Sequence, residues 1–182
     1  MYRSLLITGG AGFIGSNFVH YWTKKYPKDG IVVLDSLSYA SNLDSINNLL
    51  NSSKINFVKG NINDKALILK ILKNFKISHL INFAAETHVD RSIKAPDIFI
   101  NSNILGTYNL LKCFEKHWDS HKKPIDWRFL QISTDEVFGT LDSDNEEKFN
   151  EKSSYSPRSP YSASKASSDH WVQSWNSTYG LP

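Results

Sequence analysis

Thr-Gly-Gly-Ala-Gly-Phe-Ile-Gly, residues 8–15, is the most informative stretch of this 182-residue sequence. It follows an apolar run, Ser4–Thr8, that is typical of a buried strand, and it leads into a helical pattern over Phe13–Tyr26. Glycines at this spacing let the chain turn tightly, approach a pyrophosphate and pack the new helix against a sheet. The unpaired N–H groups at the start of such a helix also attract phosphate. The stretch therefore predicts a dinucleotide-binding turn.

A second predicted strand, Ile31–Asp35, gives the glycine pattern its context. It ends in Asp35, 20 residues after Gly15, where a carboxylate can accept hydrogen bonds from the adenosine ribose hydroxyls. A lone glycine pattern could be a tight structural turn and no more, but strand, turn, helix and acidic residue together favour a bound dinucleotide. Because the carboxylate repels a 2′-phosphate and no arginine neighbours it, NAD is predicted rather than NADP.

Strands and helices alternate along the rest of the chain. Short apolar runs predict three more strands, at Ile55–Lys59, His79–Phe83 and Arg128–Ile132. Helical patterns occupy four further segments, Asn42–Leu50, Lys65–Phe75, Pro96–His117 and Tyr161–Tyr179. Nearly continuous apolar strands separated by helices are typical of a parallel sheet buried on both faces. The pattern predicts an α/β, doubly wound Rossmann domain.

The last predicted helix is preceded by a polar loop, Leu141–Pro160, and followed by a stop signal. Gly180-Leu181-Pro182 is typical of a helix end, and the strand expected after it is missing. We therefore expect residues 1–182 to form one NAD-binding domain, truncated before a C-terminal substrate-binding portion.

Composition narrows the class of protein. Hydrophobic residues make up 40% and charged residues 21%, as in ordinary globular chains. The formal net charge of +3 is mild and the lysines are scattered, which argues against a nucleic-acid partner. No apolar run approaches the roughly 20 residues of a membrane span, and the single cysteine, Cys113, offers no disulfide. We expect a cytoplasmic protein. The six histidines show no ligand spacing with other donors, so no metal site is predicted.

Tyr161 and Lys165 open the last predicted helix, and their i,i+4 spacing places phenol and ammonium on one face. A tyrosine pKa lies near ~10, so a base at neutral pH needs it lowered by roughly 3 units. One cation about 4 Å away, at an effective dielectric near ~20, supplies an interaction of that order. Such a pair is often an ordinary helix start. Here Ser133 and Thr134 precede it, and Thr134 is a candidate to hold the hydroxyl that Tyr161 deprotonates.

Together, the glycine turn, Asp35 and the Tyr-x-x-x-Lys pair resemble the extended short-chain dehydrogenase/reductase superfamily over essentially the whole chain. Longer stretches are similar to the dTDP-glucose 4,6-dehydratases: Asp-Ser-Leu-Ser-Tyr-Ala-Ser-Asn-Leu at 35–43, Ala-Ala-Glu-Thr-His-Val-Asp-Arg-Ser at 84–92, and Ser-Pro-Tyr-Ser-Ala-Ser-Lys-Ala at 159–166. Adjacent Asp135 and Glu136 agree, because sugar epimerases of this superfamily typically lack that pair. A UDP- or GDP-sugar dehydratase or epimerase, and a non-catalytic NAD-binding fragment, stay open as alternatives.

The resemblance implies that dTDP-glucose is converted to a 4-keto-6-deoxy sugar. Tyr161, assisted by Lys165, removes the C4 hydroxyl proton while hydride passes from C4 to NAD. Glu136 then takes the C5 proton and Asp135 protonates the departing C6 hydroxyl, before hydride returns to C6 and a proton to C5. Asp135 must start protonated, which burial beside Glu136 would favour. Two residues are expected to contact the substrate, Thr87 and Thr134.

The resemblance also assigns a set of NAD-binding residues and a homodimer. The NAD-binding residues lie in the glycine turn, at the strand ends and on the helices facing them: Gly9, Gly12, Phe13, Ile14, Gly15, Asp35, Ser36, Leu37, Ser38, Asn61, Ile62, Phe83, Ala84, Ala85, Thr87, Ser102, Tyr161 and Lys165. Asn61 departs from the family pattern, which usually has aspartate there, so weaker adenine binding is expected. The dimer is expected to use apolar residues of two helices: Ile98, Leu105, Asn109, Leu110, Phe114, Trp171, Val172 and Trp175.

Overall fold

A five-stranded parallel sheet forms the centre of the molecule. The computed structural model describes residues 2–141 and 148–182, so part of the predicted loop Leu141–Pro160 lies outside the described residues. The strands are β1 (Ser4–Thr8), β2 (Gly30–Asp35), β3 (Asn56–Lys59), β4 (His79–Asn82) and β5 (Arg128–Gln131). Their order is β3-β2-β1-β4-β5, and every neighbouring pair is parallel. The chain reverses its direction of winding between β1 and β4, which confirms the predicted doubly wound α/β fold.

Helices cover both faces of the sheet. The α-helices are α1 (Phe13–Lys25), α2 (Asn47–Asn51), α3 (Lys65–Asn74), α4 (Val89–Lys94), α5 (Pro96–Phe99), α6 (Gly106–Ser120) and α7 (Pro160–Tyr179). Short 3-10 turns lie at Leu43–Ile46 and Asp135–Phe138, and a π-helical segment at Ile100–Leu105 joins α5 to α6. The predicted helix Pro96–His117 is therefore present, but its turns widen into a π-helical segment at Ile100–Leu105.

Successive strand residues bury their side chains on opposite faces of the sheet. Leu5 and Ile7 pack with α1 on one face, whereas Leu6 packs on the other face with α3, α6 and α7. Cys113 of α6 is fully enclosed in the second cluster, and burial raises the pKa of its thiol to about 11. Cys113 is thus a core residue, and packing on both faces of the sheet explains why the strand sequences are apolar at nearly every position.

The structure leaves only some of the residues predicted for the dimer interface exposed. Leu110, Phe114 and Trp175 are buried within the chain's own core, because α6 and α7 pack on each other and on the sheet. Their assignment to an interface was wrong. Leu105 remains 47% exposed and Trp171 39% exposed. The apolar surface that stays accessible therefore lies on the π-helical segment before α6 and on α7. Within residues 2–141 and 148–182, no helix combines the length and apolar character needed to cross a membrane.

Candidate functional site

The glycine turn is as tight as its sequence predicts. Gly9 has a φ of 68°, and a Cβ placed there would lie 2.6 Å from the backbone nitrogen of Ala84. A Cβ on Gly15 would lie 2.2 Å from the carbonyl oxygen of Gly9, closer than any side chain tolerates. The turn is fixed to the sheet by a 2.9 Å hydrogen bond from Gly9 N to the carbonyl of Leu34. These contacts bring the start of α1 directly against the ends of β1 and β4.

Asp35 ends β2 with its carboxylate only 5% exposed. Its Oδ2 accepts a hydrogen bond from Ala11 N at 3.0 Å, which ties the glycine turn to β2. Its Oδ1 accepts from Leu37 N at 2.9 Å and from Ser41 Oγ at 2.7 Å. A carboxylate offers about four acceptor positions, so Oδ2 keeps capacity for a hydroxyl group in the cleft. Asp35 thus ties the glycine turn to the end of β2 and to the loop that follows it.

A cleft of about 470 Å³ runs along the carboxyl edge of the sheet, with Asp35 at one end and Tyr161 and Lys165 in its wall. The predicted NAD-binding residues other than Leu37 all line it: Gly9, Gly12, Phe13, Ile14, Gly15, Asp35, Ser36, Ser38, Asn61, Ile62, Phe83, Ala84, Ala85, Thr87, Ser102, Tyr161 and Lys165. Leu37 is the exception, because its contribution is the backbone N–H that it donates to Asp35. The structure therefore gathers seventeen of the eighteen predicted positions in one cleft.

Several residues of the cleft were missing from the prediction. Leu34 lies within β2, and the others lie just after a strand or within the quoted motifs: Ala40, Ser41, Glu86, His88, Ile132 and Ser133. The carboxyl-edge rule for parallel sheets could have found Ile132 and Ser133, because both follow β5 directly. Ser41 had no comparable signal, since its role depends on a loop that folds back onto Asp35.

Tyr161 and Lys165 are both buried at the start of α7. Ser159 caps this helix through a reciprocal pair of hydrogen bonds with Ser162, and Pro160 occupies the first turn, where its missing N–H costs nothing. Lys165 is only 4% exposed, and its Nζ donates to the carbonyl oxygen of Ile132. The capping residues thus explain why α7 begins at Pro160. The position of the helix start in turn directs Tyr161 and Lys165 into the cleft.

The electrostatics of the pair differ from the prediction. Burial raises the pKa of Tyr161, and the nearby charges of Glu136 and Asp135 raise it further, while a hydrogen bond from Thr134 opposes them. Burial lowers the pKa of Lys165 to about 8, partly opposed by the negative charge of Asp169. The protein's own groups therefore do not lower the Tyr161 pKa, and the lowering by Lys165 together with the positive charge of the nicotinamide stays a prediction. Desolvation disfavours both charged forms, and it outweighs the favourable contacts.

Asp135 and Glu136 occupy a 3-10 turn that Thr134 caps through a 3.3 Å hydrogen bond from Glu136 N. Both carboxylates are exposed. The burial that the prediction invoked to keep Asp135 protonated is not provided by the residues that the structure describes. Thr87 is also exposed, at the cleft. In the same described part of the chain, no group of three or more histidine, cysteine or acidic side chains could hold a metal ion.

The glycine turn, the acidic end of β2 and the cleft at the switch point place the chain in the dinucleotide-binding class of doubly wound α/β domains. Residues 6–182 match the family described as GDP-mannose 4,6 dehydratase, and the chain belongs to that family.

Several curated relatives and solved structures that resemble this chain are dTDP-glucose 4,6-dehydratases. The enzyme of that name from Salmonella typhimurium is 46% identical over 98% of this chain and 52% of the relative. The dTDP-glucose 4,6-dehydratase of Streptomyces venezuelae, solved with NAD and TYD bound, has a TM-score of 0.86 at 40% identity over 98% of this chain and 53% of its own. A UDP-glucose 4-epimerase from Thermus thermophilus, solved with NAD, has a TM-score of 0.83 at 26% identity over 98% of this chain and 52% of its own. The chain spans about half the length of these proteins.

Proposed function

We propose that this chain forms the NAD-binding and catalytic part of an NAD-dependent dTDP-glucose 4,6-dehydratase. The observation that carries the proposal is the cleft itself, which joins Asp35 at one end to Tyr161 and Lys165 at the other. The adjacent carboxylates, Asp135 and Glu136, are close enough to affect the Tyr161 phenol electrostatically. A protein that only binds NAD would need the end of the cleft that holds Asp35. The end that holds Tyr161 and Lys165 carries side chains suited to proton transfer.

The residues present fit NAD. The glycine turn brings backbone N–H groups to the cleft without side chains in the way, and Asp35 has acceptor capacity for a ribose hydroxyl. When bound, NAD accepts hydride from C4 of the sugar and returns it to C6. Asn61 lines the cleft beside Ile62, so the amide is placed where the usual aspartate would be, and it can accept the same kind of hydrogen bond.

The first proton transfer falls to Tyr161, which takes the proton of the C4 hydroxyl. Because burial and the neighbouring carboxylates favour the protonated phenol, ionisation requires positive charge close by. Lys165 can provide it at neutral pH, since a pKa of about 8 leaves its ammonium largely charged. Thr134 lies close enough to Tyr161 to oppose the rise in its pKa, which supports a role for Thr134 in holding the substrate hydroxyl.

The elimination falls to the exposed pair in the 3-10 turn. Glu136 takes the C5 proton, which a 4-keto group makes acidic, and Asp135 protonates the leaving C6 hydroxyl. Their exposure lets them face a sugar that approaches from the open side of the cleft.

The identity of the nucleotide base and of the reaction can be tested together. Full-length protein is incubated with NAD and, separately, with dTDP-glucose, UDP-glucose and GDP-mannose, and the products are analysed by mass spectrometry. Loss of one water from dTDP-glucose is expected, with Tyr161→Phe as the inactive control that still binds NAD. A C4 epimer of unchanged mass would identify an epimerase, and no reaction with any sugar would favour a non-catalytic NAD-binding protein.

A homodimer and a cytoplasmic location complete the proposal. The apolar edge formed by Ile100, Leu105 and Trp171 belongs to neighbouring segments that pack together, α7 and the π-helical segment before α6. In a two-fold symmetric dimer this edge of one copy would pack against the same edge of the other copy, as in an isologous contact.

A further inference from the structure

Asp169 is a buried carboxylate that the proposed reaction does not use. It lies on α7, one turn after Lys165, and is 8% exposed. Its Oδ2 accepts a hydrogen bond from Ser133 Oγ and another, 3.1 Å long, from the Tyr155 hydroxyl. A buried charge is unfavourable unless it is paired and hydrogen-bonded, so its partners indicate what it stabilises.

Two successive turns of α7 form hydrogen bonds with the chain that follows β5. Residues four apart lie on one helix face, so the two contacts lie side by side. Lys165 donates to the carbonyl oxygen of Ile132, and Asp169 accepts from Ser133. The segment that leads from β5 into the 3-10 turn is therefore held at two consecutive residues, and Asp169 holds the one next to Thr134.

Asp169 also acts on the charge of Lys165. Burial lowers the pKa of Lys165 to about 8, and the carboxylate of Asp169 opposes that shift. The other side of Asp169 is occupied by Tyr155, whose own pKa is raised by burial and then by the Asp169 charge. The ring of His170 packs on Tyr155, with 4.8 Å between the ring centroids. Asp169, four residues after Lys165 on the same helix, is thus the acidic group whose charge acts on Lys165.

We propose that Asp169 is a positioning residue for the C4 oxidation, which fixes Ser133 next to Thr134 and provides the counter-charge for the Lys165 ammonium. The inference rests on the proposed function, because the oxidation is the step that uses the Lys165 charge. Without Asp169, Lys165 loses its proton at a lower pH, and the Tyr161 phenolate loses the cation that stabilises it.

The test is the pH dependence of turnover by full-length protein with NAD and dTDP-glucose. Asp169→Asn keeps acceptor capacity for Ser133 and Tyr155 but removes the charge. Removing a negative neighbour lowers the Lys165 pKa, so the alkaline fall in kcat moves to lower pH by about 1 unit or more. At pH near ~8 turnover drops by about fivefold, and it recovers as the pH is lowered. The proposal is overturned if kcat of Asp169→Asn falls at the same alkaline pH as kcat of the wild type. This alkaline part of the pH–rate profile is called the alkaline limb below.

Two further variants separate charge from position. Asp169→Glu keeps the charge, so its alkaline limb stays near that of the wild type. Ser133→Ala keeps the charge but removes one hydrogen bond, so kcat falls while the limb does not move. A limb that shifts as far in Ser133→Ala as in Asp169→Asn contradicts the counter-charge role. If Asp169→Asn does not fold, Asp169→Glu decides, because a shifted limb in that variant overturns the proposal.

A direct titration distinguishes failure of this inference from failure of the proposed function. The ¹³Cε resonance of Lys165, identified by its loss in Lys165→Arg, is followed against pH in full-length protein. A titration that moves to lower pH in Asp169→Asn supports the inference even if dTDP-glucose is not turned over. If wild-type protein turns over dTDP-glucose but the Lys165 titration does not move in Asp169→Asn, the role of Asp169 is rejected and the proposed function is not.

Discussion

Lys165→Met should make the protein more stable at neutral pH while it abolishes catalysis. The buried ammonium of Lys165 has a folded-state pKa of about 8, against 10.5 for the ordinary side chain. Each pKa unit corresponds to about 1.4 kcal/mol, so carrying this charge costs the folded state about 3 kcal/mol below pH ~8. Methionine has a similar shape and no charge, but it forfeits the hydrogen bond to Ile132, which contributes about 1 kcal/mol. The expected net gain at pH 7 is about 2 kcal/mol.

The pH dependence follows from the direction of the pKa shift. Because the folded pKa of Lys165 is lower than the unfolded one, the unfolded chain binds the proton more tightly between pH 8 and 10.5. Wild-type stability therefore gains from this group as the pH rises through that window. Lys165→Met lacks the group, so its advantage shrinks by about 3 kcal/mol across the same window.

Urea denaturation of full-length wild type and Lys165→Met at pH 7 and pH 10.5 measures the effect. The exposed Lys73 on α3 offers a matched control, since Lys73→Met removes a charge that solvent already stabilises. The difference between Lys165→Met and wild type must depend on pH, whereas that for Lys73→Met must not. An equal stability difference at both pH values for Lys165→Met would refute the reasoning.

Three other outcomes are expected. In calorimetric titration NAD binds at least about tenfold more tightly than NADP, because the Asp35 carboxylate opposes a 2′-phosphate; equal affinities would remove that role from Asp35. Asp135→Asn and Glu136→Gln each allow C4 oxidation but block elimination, so NADH absorbance accumulates with substrate bound; slower oxidation without NADH would show that this pair does not carry out the elimination. Sedimentation at micromolar concentration gives a dimer that Trp171→Lys converts to a monomer, and a wild-type mass that stays monomeric at every concentration contradicts the interface.

Strands and the glycine turn were predictable because their signals are local. Each predicted strand overlaps the observed one to within about a residue, since a buried parallel strand is apolar on both faces and turn residues bound it. The cleft followed from the same logic, because parallel strands present their carboxyl ends at one edge. The short helix α4 and the π-helical segment were not predictable as such. Asn103 lies within that segment, and its side chain pairs with both backbone groups of Glu86, at 2.8 and 3.0 Å.

Burial and charge were the properties that spacing could not predict. The i,i+4 rule correctly placed Tyr161 and Lys165 together on α7, yet it carries no information about how much water each retains. Both lie beneath the segment after β5, so desolvation dominates their pKa values in the structure. The same limit explains Asp135, which was expected to be buried but faces solvent, and Phe114, which was expected at an interface but lies in the core.

The catalytic helix shows why apolar periodicity is a poor guide here. Much of the buried face of α7 is polar, and hydrogen bonds rather than apolar contacts anchor its first half. Ser164 Oγ receives a 2.8 Å bond from Asn103 Nδ2, and Ser168 Oγ donates at 2.7 Å to the Asn103 carbonyl. Apolar contacts are non-directional and tolerate small rotations of a helix, whereas paired hydrogen bonds to one residue do not. A helix that must aim Tyr161 and Lys165 into a cleft therefore gains from buried serines, at positions where a more stable core would have leucine.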